Sequence, residues 1–393
     1  MVAIAVAISW ASRFVIATAL LTCGCATPRD AQPDSRTVAV DAADTAATTT
    51  VTPADYDKAG PFGVGLAQLQ AKDNARDRTV QLTLWYPATT QGAATHLPAA
   101  YGDVPKLADL YAAATPTCVR ATTTAAADLA PVAGSWPIVV FSHCSGCFRS
   151  SSAALAERLA SHGIAVIAAD HTPNTLYDIW NGTVANLSPE VLQTRVDDVR
   201  FALDVATSAT ATALPVALRG HCDGSRAGVF GHSFGALTTG AALAADPRFK
   251  AGLAIAAPLS SPYPPGPDVA TLLQPLLLIL AKEDNSITEI GNQFIRDNYA
   301  AAKGPAWLLE VADAGHFSFS DIAGLLPSFH AGCGTDKRQT DGKPFAYLAP
   351  DQGRALASRV VAAFFARYLL IRADALQALD LPFAASVTVQ HKP

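Results

Sequence analysis

Residues 226–236 read RAGVFGHSFGA and join an apolar segment typical of a β-strand to a helix-like segment beginning just after Gly235. Between the two lies the pattern Gly-x-Ser-x-Gly, which is typical of a nucleophile elbow. In such an elbow Ser233 occupies a strained turn, and a Cβ at Gly231 or Gly235 would collide with the neighbouring strand or helix. The turn holds the serine oxygen beside a helix N-terminus, where free N–H groups favour negative charge. We therefore interpret Ser233 as a nucleophile rather than as an ordinary helix-capping serine.

The chain around this motif alternates between strand and helix patterns. Predicted strands cover residues 80–86, 138–141, 164–169, 229–230, 251–257, 276–280 and 307–311. Predicted helices cover residues 151–162, 192–206, 236–245, 287–302 and 353–370. The run Leu276–Leu280 is apolar throughout, as expected of a strand covered on both faces. This alternation predicts an α/β fold with a mostly parallel, doubly wound sheet flanked by helices.

A serine hydroxyl is a weak nucleophile at neutral pH, so it needs a general base and a group that orients this base. In the α/β-hydrolase order, the acid and then the histidine follow the serine along the chain. Asp284 comes soon after the strand predicted at 276–280, near the carboxyl end where reactive groups of such sheets lie. We predict Asp284 as the orienting acid and keep Glu283 as the alternative. A solvated charge at a helix start is the competing interpretation of either carboxylate.

The chain has nine histidines, and one of them lies where the general base belongs. His316 follows a glycine in the loop after the last predicted strand, 307–311, and we predict it to be the base. His143 and His232 flank the proposed site but lie within motif turns. For these two we expect packing or hydrogen-bonding roles.

An oxyanion that develops during acyl transfer needs backbone N–H donors. The elbow supplies the N–H of Phe234. The second donor should come from the loop after the strand predicted at 138–141, where residues 142–147 read SHCSGC. Within this loop we predict the N–H of Ser145.

Five cysteines lie beyond residue 25, and they are Cys118, Cys144, Cys147, Cys222 and Cys333. In an exported protein we expect one or two disulfides and one remaining thiol, but the spacing does not predict which cysteines pair. A CxxC pair beside a histidine is compatible with zinc or redox chemistry. Since a second cysteine pair at ligand spacing is missing, we predict structural cysteines, no metal and no cofactor.

The N-terminus predicts export. Residues 1–25 contain Arg13, a short apolar core and small residues, as in a signal peptide. Gly24-Cys25 resembles the end of a bacterial lipobox, whose cysteine is lipidated and attaches the protein to a membrane; cleavage after Ala26 is the alternative. Residues 26–55, rich in Ala, Thr, Asp and Pro, predict a flexible linker, and residues 56–393 a single domain. We expect a periplasmic or outer-envelope lipoprotein or a secreted protein.

Bulk composition excludes two other classes of protein. Half of the 393 residues are hydrophobic and 16% are charged, so most of the chain is expected to fold around a large core. The formal net charge is −5 and no basic run is present, which argues against nucleic-acid binding.

Several motifs together resemble a known family. FSHxxGxFR at 141–149, LASHG at 159–163 and GHSFG at 231–235 resemble the secreted platelet-activating-factor acetylhydrolases and equally the bacterial dienelactone-hydrolase-like proteins. DHxPNT at 170–175 and AGHFSFSD at 314–321 look like the bacterial branch. The resemblance extends over residues 56–370. Two departures are Cys144 in the oxyanion loop and Ala236 after the elbow, where the family usually has glycine.

The resemblance implies a cofactor-free serine esterase of the α/β-hydrolase fold. It places the triad at Ser233, Asp284 and His316 and the oxyanion donors at Ser145 and Phe234. The expected substrate is a small-molecule or lipid-like ester, with a polyester, lactone or amide as the alternative. A non-catalytic envelope lipoprotein that keeps the fold as a binding scaffold is the alternative of a different class.

Overall fold

The structure is a computed structural model that describes residues 56–393 apart from residues 103, 116, 381 and 384. The predicted export signal at 1–25, the linker at 26–55 and the proposed lipidation site Cys25 lie outside the described residues. None of the helices it describes combines the length and the apolar character needed to cross a membrane.

The described strands and helices are numbered in chain order. Strands β1 to β14 span Gly63–Asp73, Arg78–Ala88, Thr95–His96, Thr122–Thr123, Ala126–Ala127, Trp136–Ser142, Ala165–Ala169, Cys222–His232, Phe249–Ile255, Leu276–Ala281, Ala306–Val311, Thr335–Lys337, Pro344–Ala346 and Val387–Lys392. Helices α1 to α9 span Leu97–Tyr101, Pro105–Ala113, Ala153–Ser161, Leu176–Asn181, Pro189–Thr207, Phe234–Ala245, Thr288–Ala301, Pro350–Leu369 and Gln377–Asp380. Short 3₁₀ turns cover Val216–Leu218, Val269–Thr271 and Pro327–Phe329.

One large sheet organises the described residues. Its ten strands follow the order β14-β11-β10-β9-β8-β6-β7-β2-β1-β5. The six strands from β11 to β7 in this order run parallel, whereas β2 and β14 pair antiparallel with their neighbours in this block. Because parallel strands end at one edge, the loops after β6, β8, β10 and β11 share that edge. These loops carry the predicted site residues.

The sheet is covered on both faces, which explains the uninterrupted apolar runs of its central strands. In β6, Ile138 and Val140 belong to one apolar cluster, whereas Val139 and Phe141 belong to the other. The first cluster also takes in buried side chains of α5 and α6, and the second those of α3 and α8. The predicted α/β-hydrolase fold with a mostly parallel sheet flanked by helices is confirmed.

Most of the elements that sequence patterns missed are short or exposed; the exception is β1, an eleven-residue strand that is buried over much of its length. β14 has little buried surface, so it has no alternation of apolar and polar residues to reveal it. α4 is six residues long and is defined by a capping box between Thr175 and Asp178 rather than by periodicity. Predicted helix bounds moved by a few residues; α5, for example, begins at Pro189 because the Ser188 hydroxyl caps it.

Candidate active site

The turn after β8 has the geometry expected of a nucleophile elbow. Ser233 has φ 57° and ψ −122°, a conformation that non-glycine residues rarely adopt. A Cβ on Gly231 would lie 1.9 Å from the carbonyl oxygen of Gly235, and one on Gly235 would lie 1.9 Å from that of Ser142. Both glycines are therefore required by close backbone approach. The turn leaves Ser233 half-buried, directly before the first residue of α6.

The structure brings Asp284 and His316 into contact from the loops after β10 and β11. His316 Nδ1 lies 2.6 Å from Asp284 Oδ2, and both side chains are buried. Asp284 Oδ1 accepts hydrogen bonds from the backbone N–H groups of Ser286 and Ile287, at 2.9 and 3.0 Å. One carboxylate oxygen is thus held by the backbone while the other orients the imidazole ring.

The alternative acid, Glu283, has different partners. Its carboxylate accepts hydrogen bonds from the Arg338 side chain and from the backbone N–H of Gln339, both at 2.9 Å. Arg338 also forms an ion pair with Asp313 at 2.7 Å. Glu283 therefore fastens the segment around Arg338 to the body, and the contact with His316 belongs to Asp284.

His232, next to the serine, fixes the loop that carries His316. Its Nε2 donates to the carbonyl oxygen of His316 at 2.7 Å, and the two rings lie 5.0 Å apart. Burial, and then repulsion from His316, lowers the pKa of His232 to about 3. His232 is therefore neutral at physiological pH and serves as a hydrogen-bond donor, in agreement with its expected role.

Ser233 and His316 are not joined by a hydrogen bond in the described part of the chain. Since Asp284 occupies Nδ1 of His316, Nε2 is the ring nitrogen that is left to act as a base. Contacts of this kind are often loose without substrate and tighten in the reacting complex. The catalytic roles of the three residues stay predictions.

Residues 142–147, called the oxyanion loop below, begin at the last residue of β6. Ser145 is half-buried, and its hydroxyl accepts a hydrogen bond from Asn174 Nδ2 at 2.9 Å. Asn174 also accepts from the N–H of Gly146 through its backbone carbonyl, at 3.2 Å. Phe234, the other predicted donor, is the first residue of α6. Its N–H belongs to the helix turn whose amides have no partner within the helix.

Sequence reasoning missed a buried polar layer beneath this loop. Arg195 of α5 and Asn174 are fully buried, and they are hydrogen-bonded to each other at 2.8 Å. His171 lies beside them, bonded to the Ser142 hydroxyl at 3.0 Å and to Asp198 at 3.2 Å. A signal was present in the sequence, since Arg195 interrupts the apolar face formed by Leu192, Val196 and Val199.

The structure pairs four of the five cysteines that were considered. Disulfides join Cys118 to Cys333 and Cys144 to Cys147, so the expectation of one or two disulfides and one leftover thiol is confirmed. The remaining thiol, Cys222, is buried, and burial raises its pKa to about 12. The second disulfide spans Ser145 and restrains the oxyanion loop. Within the described residues, no group of three or more His, Cys, Asp or Glu side chains has a metal-binding arrangement.

The sequence of this chain is similar to that of known proteins. The family described as platelet-activating factor acetylhydrolase, isoform II, matches residues 48–178 and 211–350. A curated platelet-activating factor acetylhydrolase from Cavia porcellus is 30% identical over 176 residues, which cover 37% of this chain and 39% of that protein. The chain thus matches well under half the length of this relative.

A solved structure shares the fold over most of its length. A ferulic acid esterase from Streptomyces cinnamoneus aligns with a TM-score of 0.58 and 25% sequence identity, covering 79% of this chain and 91% of the esterase. The sequence family and this neighbour are both named for ester-hydrolysing enzymes.

Proposed function

The chain belongs to the platelet-activating factor acetylhydrolase, isoform II, family, and on this premise we propose that it is a serine carboxylic-ester hydrolase that works through an acyl-enzyme. Ser233 attacks the ester carbonyl while His316 Nε2 takes its proton. The N–H groups of Ser145 and Phe234 hold the oxyanion, and the alcohol leaves with a proton from His316. Water activated by His316 then releases the acid, and Asp284 keeps the imidazole oriented throughout.

One observation carries this proposal. The hydrogen bond between His316 Nδ1 and the buried Asp284 carboxylate, on the same sheet edge as the strained Ser233 turn, is the arrangement that activates a serine. A non-catalytic scaffold has no need of a strained serine and an oriented histidine at one edge. This argues against the binding-protein alternative.

The proposed substrates are short-to-medium acyl esters or short-chain and oxidised phospholipid-like esters. The names of the relatives support this class, since one is an acetylhydrolase and another an esterase of ferulic acid. The same residues could attack a polyester, a lactone or an amide, because the chemistry at the carbonyl is shared. A substrate panel separates these alternatives.

Hydrolysis of p-nitrophenyl esters from acetyl to palmitoyl tests the proposal, with wild type, Ser233→Ala and Ser225→Ala measured in parallel. Ser225 is an exposed serine on the same strand and serves as the matched control. We expect Ser233→Ala to lower kcat on the order of 10⁴-fold or more, by analogy with dissected triads, and Ser225→Ala to leave it unchanged. Near wild-type turnover in folded Ser233→Ala would refute the assignment. Inactive, folded wild type would favour the scaffold or another bond type.

Export to an oxidising compartment is part of the proposal. Two disulfides among the described residues support it, because cytosolic proteins rarely keep disulfides. Membrane attachment would follow from lipidation of Cys25, and otherwise the protein would be released after cleavage at Ala26.

A further inference from the structure

Arg195 is a buried cation without a direct counter-ion. It projects from α5 and has no exposed surface. None of the described carboxylates forms a salt bridge with it. The carboxylate of nearby Asp198 instead binds Arg76, Arg78 and His171. Burial lowers the pKa of Arg195 to about 9, so the guanidinium keeps its charge at neutral pH. A buried charge without a counter-ion is costly unless hydrogen bonds compensate it, so the acceptors around Arg195 are informative.

The guanidinium holds the oxyanion loop from beneath. Nη2 donates to the carbonyl oxygen of His143 and, at 3.2 Å, to the Ser142 hydroxyl. Nη1 donates to the Asn174 side chain at 2.8 Å. Asn174 in turn donates to the hydroxyl of Ser145, at 2.9 Å. Arg195 thus reaches one predicted oxyanion donor through a single intervening side chain.

The same guanidinium also holds the elbow helix. Its Nε donates to the Thr238 hydroxyl at 3.1 Å, and this hydroxyl donates to the carbonyl oxygen of Phe234 at 2.9 Å. The guanidinium carbon lies 4.7 Å from the centroid of the Phe234 ring, a cation–π distance. Arg195 therefore connects the two residues whose N–H groups are the predicted oxyanion donors.

Hydrogen bonds to the carbonyl groups of the oxyanion loop also fix the directions of its N–H groups. A trans peptide directs its C=O and N–H in opposite directions. Arg195 takes the carbonyl of His143, while the carbonyl of Cys144 accepts from His143 Nδ1 at 2.7 Å and from Cys147 N–H at 3.2 Å. With both carbonyls bound to these partners, the N–H groups of Cys144 and Ser145 point away from them.

We propose that Arg195 is a positioning residue of the oxyanion site, which aligns the donor-bearing loop with the elbow helix and supplies positive charge beneath both. This inference rests on the proposed ester hydrolysis and deepens it. Fixed charge and fixed donors stabilise the negative oxygen of a tetrahedral intermediate without reorganising during the reaction. The sequence family matches residues 48–178 and 211–350, and α5 lies between these two ranges in the chain. The role given to Arg195 therefore rests on the contacts in this structure.

Steady-state kinetics of Arg195→Lys and Arg195→Met on p-nitrophenyl butyrate and on its thionoester test the proposal. We expect Arg195→Met to lower kcat on the order of 10²-fold with KM within about threefold, as loss of one oxyanion donor does. Arg195→Lys keeps the positive charge but loses the several N–H donors of the guanidinium, so its kcat should fall roughly tenfold. Since sulfur accepts hydrogen bonds weakly, the kcat of each variant should fall much less on the thionoester than on the oxygen ester. A merely structural defect lowers both rates equally.

Arg359→Met is the matched control, because Arg359 is a buried arginine that also binds backbone carbonyls and lies 4.3 Å from an aromatic ring centroid. It should lose stability but keep its kcat per folded molecule.

If Arg195→Met fails to fold, Thr238→Val tests the same inference, with an expected kcat loss of about five- to tenfold on the oxygen ester. An unchanged ratio of oxygen-ester to thionoester rates would overturn the inference while wild-type activity stands. Inactive wild type would overturn the proposed function itself.

Discussion

At the scale of single residues, side-chain length explains why adjacent carboxylates have different partners. The short side chain of Asp284 accepts two backbone N–H groups of its own turn while its second oxygen reaches His316. Glu283 instead binds Arg338 and the backbone of Gln339. Asp284 therefore orients the imidazole of His316, whereas Glu283 binds the segment around Arg338.

Asp284→Asn should lower kcat by about 10⁴-fold with little loss of stability, because Asn keeps the backbone contacts but favours the wrong imidazole tautomer. Glu283→Gln is the matched control. It should keep kcat within about tenfold, because it removes an ion pair with Arg338 and no contact to His316. Ester hydrolysis by the two purified variants checks this. A larger kcat loss in Glu283→Gln than in Asp284→Asn would identify Glu283, and not Asp284, as the orienting acid.

At the scale of elements, the strand-to-helix junction between β8 and α6 is determined by backbone packing. The carbonyl of Ser142, at the end of β6, lies where a Cβ of Gly235 would be. The neighbouring strand and the elbow helix therefore touch through backbone atoms, and this closeness brings the oxyanion loop next to Phe234. A side chain at Gly235 would separate the two parts of the proposed oxyanion site.

Gly235→Ala should therefore lower kcat on the order of 10²-fold or more and destabilise the fold by about 1–3 kcal/mol, the usual range for overpacking. Gly224→Ala, in β8, is the control, because its Cβ would meet only the side chain of Thr207, at 3.2 Å. Thermal unfolding and ester hydrolysis of both variants measure the difference. Equal behaviour of the two variants would contradict the packing argument.

At the scale of the whole molecule, the sheet and one long-range disulfide hold the site residues together. Four loops at one sheet edge bring in residues separated by as many as 174 positions, from Ser142 to His316. The Cys118–Cys333 disulfide closes a separation of 215 residues, and in the chain-entropy account such loops gain the most from cross-linking. The disulfide joins the segment that precedes β6 in the chain to the segment that follows His316.

Cell fractionation of a bacterial host that expresses the full-length chain checks the proposed export. We expect the full chain in the envelope or the medium with both disulfides formed, and a chain without residues 2–25 in the cytoplasm. Recovery of the full chain in the cytoplasm would contradict export. Cys25→Ala then separates the two modes of processing, because only a lipidated protein is released from the membrane fraction by this change.

Local patterns in the sequence predicted much of this protein. The spacing of Gly231, Ser233 and Gly235 predicts the elbow because close approach at these positions depends on the missing Cβ atoms. The apolar runs and helical periodicities predict a mostly parallel sheet flanked by helices because burial imposes these periods on the sequence. The positions of Asp284 and His316 after successive predicted strands follow from this alternation of strands and helices. Their catalytic roles, and the division into signal, linker and single domain, stay predictions.

Only the tertiary structure decided which distant side chains meet. The choice between Glu283 and Asp284, and the pairing of Cys118 with Cys333, depend on side-chain directions that local periodicity does not specify. Arg195 shows this most clearly, since in the sequence it is one charged residue on an apolar helix face. Its four acceptors come from three separate parts of the chain, and they surround one guanidinium because the sheet brings the ends of its strands to a single edge.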